Sequence, residues 1–65
     1  MVIGGKVRWL RERAGLSQED LAEKAGLTQK TICSIEAQTT DGRPSTRRNL
    51  AAALGVAVAD LYKEA

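Results

Sequence analysis

Gly26 separates two short segments in which apolar residues recur at helical spacing. Leu21 and Ala22 precede Gly26 by five and four residues, and Ile32 and Ile35 follow it by six and nine. This spacing predicts two short helices that cross steeply at a tight turn. Gly26 can adopt the positive φ that such a turn requires, and the small side chain of Ala22 allows the second helix to approach closely. The outward face of the second helix is therefore left free of packing.

Polar residues mark where these two helices begin. Ser17 and Asp20 have the spacing of a capping box, in which each side chain accepts a hydrogen bond from the backbone amide of the other residue. Thr28 is placed to cap the second helix, which we expect to extend from Gln29 to about Ala37. The two helices and their turn together cover residues 17–37.

Three further helices are predicted outside this pair, and strand signals are nearly absent. The first ends at Gly15 and carries an apolar stripe of Ile3, Val7, Leu10 and Ala14. The fourth is expected at about 46–54, after a turn at Asp41 and Gly42 and a start near Pro44 and Ser45. Its predicted buried residues are Leu50, Ala51 and Leu54. The fifth runs from Val58 to about Lys63. The prediction is thus an all-α, five-helix bundle formed by a single domain, residues 1–65.

The composition excludes several kinds of chemistry. The chain has 65 residues with one cysteine, Cys33, so it has no internal disulfide. It has no histidine, which excludes the common zinc-site patterns and nucleophile–histidine–acid catalysis. No glycine-rich phosphate loop is present either, and we therefore expect a protein that is not an enzyme and needs no metal or cofactor.

Charge and hydropathy point to a cytoplasmic protein. The net charge of +2 is a mild basic excess, compatible with nucleic acid but not diagnostic of it. The longest apolar stretch is shorter than the roughly 20 residues that cross a membrane, and the N-terminus lacks the apolar core of a secretory signal. We expect no membrane association.

Over nearly its whole length the chain resembles the helix-turn-helix family of phage repressors and Cro proteins, the XRE-like group. The resemblance is strongest to the N-terminal domains of lambdoid repressors. The matching stretches read LSQEDLAEKAGLTQKTICSIE, from Leu16 to Glu36, and NLAAALGVAVADL, from Asn49 to Leu61. The chain differs at Ala37 and Gln38, where glycine is common just after the glutamate. The resemblance implies sequence-specific binding of double-stranded DNA by a recognition helix, about residues 28–37, in the major groove. It also implies a bacterial or phage transcriptional regulator of the repressor type.

The resemblance assigns roles position by position. The positions that match base-contacting residues are Gln29, Lys30 and Ser34. The positions that match contacts to the DNA backbone are Gln18, Thr28, Thr31 and Arg43. Arg11 and Glu36 match a partly buried salt bridge between the first and third helices. A domain of this size offers few base contacts, so we expect a homodimer on a two-fold symmetric operator, with no small-molecule ligand.

An alternative function and the roles of Trp9 and Cys33 remain open. Some proteins with this fold bind proteins instead of DNA, as coactivator-bridging and toxin-neutralising modules do. Trp9 lies off the apolar stripe of the first helix, so it either packs against the C-terminal segment near Leu61 or Tyr62 or contacts a partner. Cys33 is predicted to face outward beside the DNA-binding side. Most exposed cysteines of this kind have no function, and we expect the same of Cys33.

Overall fold

The computed structural model describes residues 3–40 and 42–62, and every regular element in them is helical. The all-α prediction is therefore confirmed, although four α-helices and one short 3₁₀ helix replace the five helices expected. They are α1 (Gly4–Arg13), α2 (Gln18–Ala25), α3 (Gln29–Glu36), α4 (Pro44–Leu54) and a 3₁₀ helix (Val58–Tyr62). Within the described part of the chain, no helix has the length and apolar character needed to cross a membrane.

Local hydrogen bonds define α2 and the start of α3, as the sequence predicts. The Ser17 hydroxyl accepts from the Asp20 amide at 2.9 Å, and the Asp20 carboxylate accepts from the Ser17 amide at 3.0 Å. The chain leaves α2 at Gly26, which has a φ of 70°. Thr28 then caps α3 by accepting from the Thr31 amide at 3.2 Å. The capping box, the turn and the second cap are thus confirmed.

The core lies where all the helices meet. Helix α2 packs against α3 and α4, α1 packs against α3 and α4, and the 3₁₀ helix packs against α4 and α1. Seven side chains that are almost completely buried form its centre: Ile3, Val7, Leu21, Ile32, Ile35, Leu50 and Leu61. Ile32 and Ile35 fill one side of α3, so the opposite side of this helix faces solvent.

Gly4 allows α1 to approach the end of α3 closely. A Cβ atom at Gly4 would overlap with the backbone carbonyl oxygen of Ile35 and lie 3.2 Å from the Cα of Glu36. The obstacle is backbone, which a rotamer change cannot move aside. This close approach places Arg8 and Arg11 of α1 next to the end of α3.

Two predicted details of α1 and α4, the burial of Ala14 and of Leu54, are wrong. Ala14 is exposed and does not extend the apolar stripe, because α1 ends at Arg13. Helix α4 begins at Pro44, in agreement with the predicted start near Pro44 and Ser45, because proline suits the first position of a helix, where no amide donor is needed. The expected burial of Leu50 and Ala51 is confirmed, but Ala53 is buried in place of Leu54, which is half-buried.

The fifth predicted helix is a tighter 3₁₀ helix. Its first turn is closed by the Asp60 carboxylate, which accepts from the Ala57 amide at 3.2 Å. Leu61 anchors the segment in the core. A segment of five residues is too short to gain much from α-helical bonding, and 3₁₀ geometry is common in such short pieces. Two predictions, the turn residue Asp41 and the helix end at Lys63, lie outside the described residues.

Candidate nucleic-acid interface

The exposed side of α3 forms one wall of an open groove of about 480 Å³, here called the α3 groove. Its lining residues are Gln18, Gln29, Lys30, Cys33, Ser34, Ala37 and Thr39. Five of these lie on α3 or at its end, at spacings of one, three and four residues, which place them on one face of the helix. The groove is therefore polar at the start of α3 and bordered by small side chains further along.

The structure brings together four of the residues to which the resemblance assigns DNA contacts. Gln29, Lys30 and Ser34 line the α3 groove with Gln18, which belongs to the first turn of α2. Gln29 and Lys30 are exposed, and Ser34 is half-buried. An amide, an ammonium group and a hydroxyl thus face the same open space and offer hydrogen-bond donors and acceptors in a row.

Thr28 and Thr31 lie at the start of α3, outside the residues that line the groove. Their hydroxyl oxygens are 2.9 Å apart, and the Thr28 oxygen also accepts from the Thr31 amide. Because the N-terminus of a helix favours anions, these hydroxyls lie where a phosphate oxygen could be held.

A hydrogen-bonded ion pair joins α1 to the end of α3. Arg11 donates to Glu36 twice, from Nε to Oε2 at 2.7 Å and from Nη2 to Oε1 at 3.0 Å. Arg11 Nη1 also donates to the carbonyl oxygen of Leu16 at 2.8 Å. The hydrogen bond to Glu36 raises the pKa of Arg11, against the opposing effect of desolvation, so the guanidinium remains charged. The pair leaves 12% of the Arg11 side chain and 5% of the Glu36 side chain exposed.

The same carboxylate orients Gln18. Gln18 Nε2 donates to Glu36 Oε1 at 3.2 Å, so α1, α2 and α3 meet at a single carboxylate. This bond uses one of the two amide hydrogens of Gln18, and the second can still be donated. A nearly buried ion pair contributes more reliably to geometry than to stability. The network therefore fixes the position of α3 and the orientation of Gln18 together.

Arg43 is not brought to the α3 groove. It is the exposed residue that precedes α4, with extended backbone, and it is absent from the groove lining. Arg47, in the first turn of α4, is half-buried and donates from Nη1 to the carbonyl oxygen of Gly42 at 2.8 Å. Arg47 thus stabilises the connection that precedes α4.

Two residues beside the groove were not predicted as site residues. Thr39 follows the end of α3, and its hydroxyl donates to the Ser34 carbonyl oxygen at 2.9 Å. Arg8 lines a second depression of about 290 Å³, here called the α1–α3 depression, with Arg11, Gln18, Cys33, Glu36 and Ala37. The position of Arg8, three residues before Arg11 on α1, is the sequence signal that could have identified it.

Trp9 lies on another side of α1. It is 38% exposed, with Lys6 Nζ 4.6 Å and Arg13 Cζ 5.0 Å from its ring centroid. The ring therefore lies at the surface with two cations against it, outside the buried core. Cys33, by contrast, is exposed on the α3 side as predicted.

Comparison with known proteins agrees with this architecture. A family profile described as "Helix-turn-helix domain" matches residues 2–62. The chain belongs to this helix-turn-helix family. The resemblance to phage repressors inferred from the sequence is thereby confirmed.

Proteins similar to this helix-turn-helix chain include a curated phage repressor and a solved bacterial structure. The "Immunity repressor protein" of Bacillus phage phi105 is 33% identical over 64 residues, which are 98% of this chain but 44% of that protein. The chain thus spans less than half of the length of this relative. The crystal structure of the hypothetical transcription factor NHTF from Neisseria superposes with a TM-score of 0.88 and 33% identity. That match covers 94% of this chain and 70% of the other.

Proposed function

We propose that this chain binds double-stranded DNA by inserting α3 into the major groove. The observation that carries the proposal is the α3 groove, where Gln29, Lys30 and Ser34 face solvent while Ile32 and Ile35 hold the helix from behind. A helix presented in this way fits the width of the major groove, and its N-terminal side chains reach base edges.

Three side chains read the bases in this proposal. Gln29 can form paired hydrogen bonds with adenine, and Lys30 can donate to O6 and N7 of guanine. Ser34 lies one turn further along and can donate or accept. Each well-placed contact discriminates against a wrong base pair by about 1–3 kcal/mol.

The DNA backbone is held on either side of α3. Gln18 donates its second amide hydrogen to a phosphate at the start of α2, and Thr28 and Thr31 bind a phosphate at the start of α3. Arg43, which is exposed before α4 but does not line the α3 groove, contributes positive charge to the attraction of DNA. These contacts fix the register on the duplex without reading sequence.

The biological role in this proposal is repression by occupying an operator. Support comes from the phage phi105 relative, named as an immunity repressor, and the Neisseria structure, described as a hypothetical transcription factor. A single α3 offers few base contacts, so we propose that two copies bind a two-fold symmetric site, as dimeric helix-turn-helix proteins do.

Selection of bound duplexes from a random library at low salt tests DNA binding directly. We expect a recovered sequence with two related half-sites, and an affinity that decreases steeply with salt concentration. If no duplex is retained and binding shows no salt dependence, the proposed function is wrong.

Variants at Lys30 and Gln18 should separate base reading from backbone binding. Lys30→Ala should reduce the preference for the selected site over a scrambled duplex by about 1–3 kcal/mol. Gln18→Ala should weaken binding to both duplexes alike, because it removes a phosphate contact. Titration of each variant with the two duplexes measures both quantities. The reverse pattern would contradict the assigned roles.

Exposure of Trp9 favours one alternative, a protein-binding module with the same fold. Its ring is a large apolar surface on the side of α1 away from Arg11. In that case a partner protein would still be retained by the Lys30→Glu variant, whereas DNA binding by α3 would be lost. A pull-down with the Lys30→Glu variant and with a variant that lacks the Trp9 ring distinguishes the two functions.

A further inference from the structure

Arg8 lies beside the α3 groove but contributes to none of the contacts assigned above. It precedes Arg11 by three residues, so both side chains leave α1 on the same side. Arg8 lines the α1–α3 depression, which shares Gln18, Cys33 and Ala37 with the α3 groove. The two concave surfaces are therefore adjacent, and Arg8 lies on the α1 side of their common border.

The two arginines of this depression differ in how firmly they are held. Arg11 forms three hydrogen bonds, two to Glu36 and one to the Leu16 carbonyl, so three of its five N–H donors are occupied and its position is fixed. Among the described residues Arg8 pairs with Glu12, with Arg8 Nε 3.5 Å from Glu12 Oε2, and 64% of its side chain is exposed. An exposed pair of this length contributes little to stability. Arg8 can therefore exchange Glu12 for another anion at small cost.

The geometry points to a phosphate of the DNA backbone as that anion. If α3 lies in the major groove, the two DNA backbones that border this groove pass close to the protein elements on either side of α3. Arg8 extends from one of these elements, α1. We infer that Arg8 of α1 binds a backbone phosphate adjacent to the one held by Gln18, an inference that rests on the proposed function. A guanidinium is well suited to this contact, because its forked donors match a phosphate.

Two matched variants test the inference. Arg8→Gln removes the proposed contact, and Arg13→Gln removes the same charge from the other side of α1, about 140° around the helix, where Arg13 lies over Trp9. The probe is a fluorescein-labelled duplex of mixed sequence, about 20 base pairs long, so that two helical turns are available. Fluorescence anisotropy measures affinity between roughly 50 and 200 mM salt, and circular dichroism confirms that both variants fold.

The contact makes a quantitative prediction. Each phosphate contact contributes about 0.9 to the magnitude of the negative slope of log affinity against log salt concentration. Arg8→Gln should therefore reduce this magnitude by about 1, and it should lower the affinity at about 0.1 M salt by roughly 10-fold. Arg13→Gln should change the slope by much less. Equal slopes and affinities for the two variants, with the unmodified protein binding the duplex, would overturn the Arg8 contact alone. Failure of the unmodified protein to bind any duplex would overturn the proposed function.

Discussion

Gln38 has a backbone conformation that glycines adopt after the other three α-helices. Gly15, Gly26 and Gly55 follow α1, α2 and α4 with φ between 70° and 74°, and Gln38 follows α3 with a φ of 64°. In all four cases the next amide donates to the carbonyl oxygen five residues earlier, which is the Schellman arrangement. A residue with a Cβ loses about 1–2 kcal/mol in this conformation, so α3 ends under a strain that the other helices avoid.

Gln38→Gly should therefore raise the free energy of unfolding by about 0.5–1 kcal/mol, since the relieved strain exceeds the added entropy of glycine in the unfolded chain. For a domain of this size, 1 kcal/mol corresponds to about 4–8 °C in melting temperature, which circular dichroism resolves. Ala37→Gly is the matched control, because Ala37 has a φ of −77° and gains nothing from glycine. A loss of stability in both variants would contradict the strain at Gln38.

At the scale of the element, the start of α2 makes stability depend on pH. Hydrogen bonds from the Ser17 amide and hydroxyl lower the pKa of Asp20 below its ordinary value. A carboxyl whose pKa is lower in the folded state stabilises that state when it is ionised. This stabilisation is complete above the unfolded value near 3.9 and is lost as pH falls through the folded value. Acid therefore weakens the cap of α2, which positions Gln18.

Asp20→Asn should lower the melting temperature at neutral pH, and the difference from the unmodified protein should shrink as pH falls below about 4. Thermal melting at a series of pH values measures this difference. Glu23→Gln, on the exposed surface of the same helix, controls for the loss of one negative charge. If the effect of Asp20→Asn is the same at neutral and acidic pH, the capping box does not contribute through ionisation.

For the whole molecule, stability depends on a small core to which every element contributes. The chain is short, and domains of about this size bury only about 60% of the surface that the unfolded chain exposes, so each buried side chain has a large share in stability. Leu61 connects the 3₁₀ helix to this core with 1% of its surface exposed. The C-terminal segment is therefore part of the same folding unit as α1 and α4.

Leu61→Ala should destabilise the protein by about 2–5 kcal/mol, because the cavity lies where the 3₁₀ helix, α1 and α4 meet. Leu54→Ala provides a control with the same chemical change at a half-buried position, where a smaller loss is expected. Urea denaturation followed by circular dichroism gives both values. A loss in Leu61→Ala no greater than in Leu54→Ala would show that the 3₁₀ helix unfolds independently of the bundle.

The amino-acid sequence by itself determined the limits of α2, the start of α3 and the face of α3 that is free of packing. Ser17, Asp20, Gly26 and Thr28 act on backbone groups within five residues, so their effect can be inferred without knowledge of the fold. The apolar spacing of Ile32 and Ile35 likewise indicated which side of α3 is buried. The resemblance to phage repressors then assigned DNA contacts to Gln29, Lys30 and Ser34 on this face, whereas Thr39 was not predicted.

Contacts between distant parts of the chain were decided by the tertiary structure. No local pattern shows that the Ile35 carbonyl would leave no room for a side chain at Gly4. Trp9 likewise remains at the surface, with 38% of the residue exposed. Helical periodicity gives the angle of a side chain about its own axis, but only packing against another helix decides what that side chain meets.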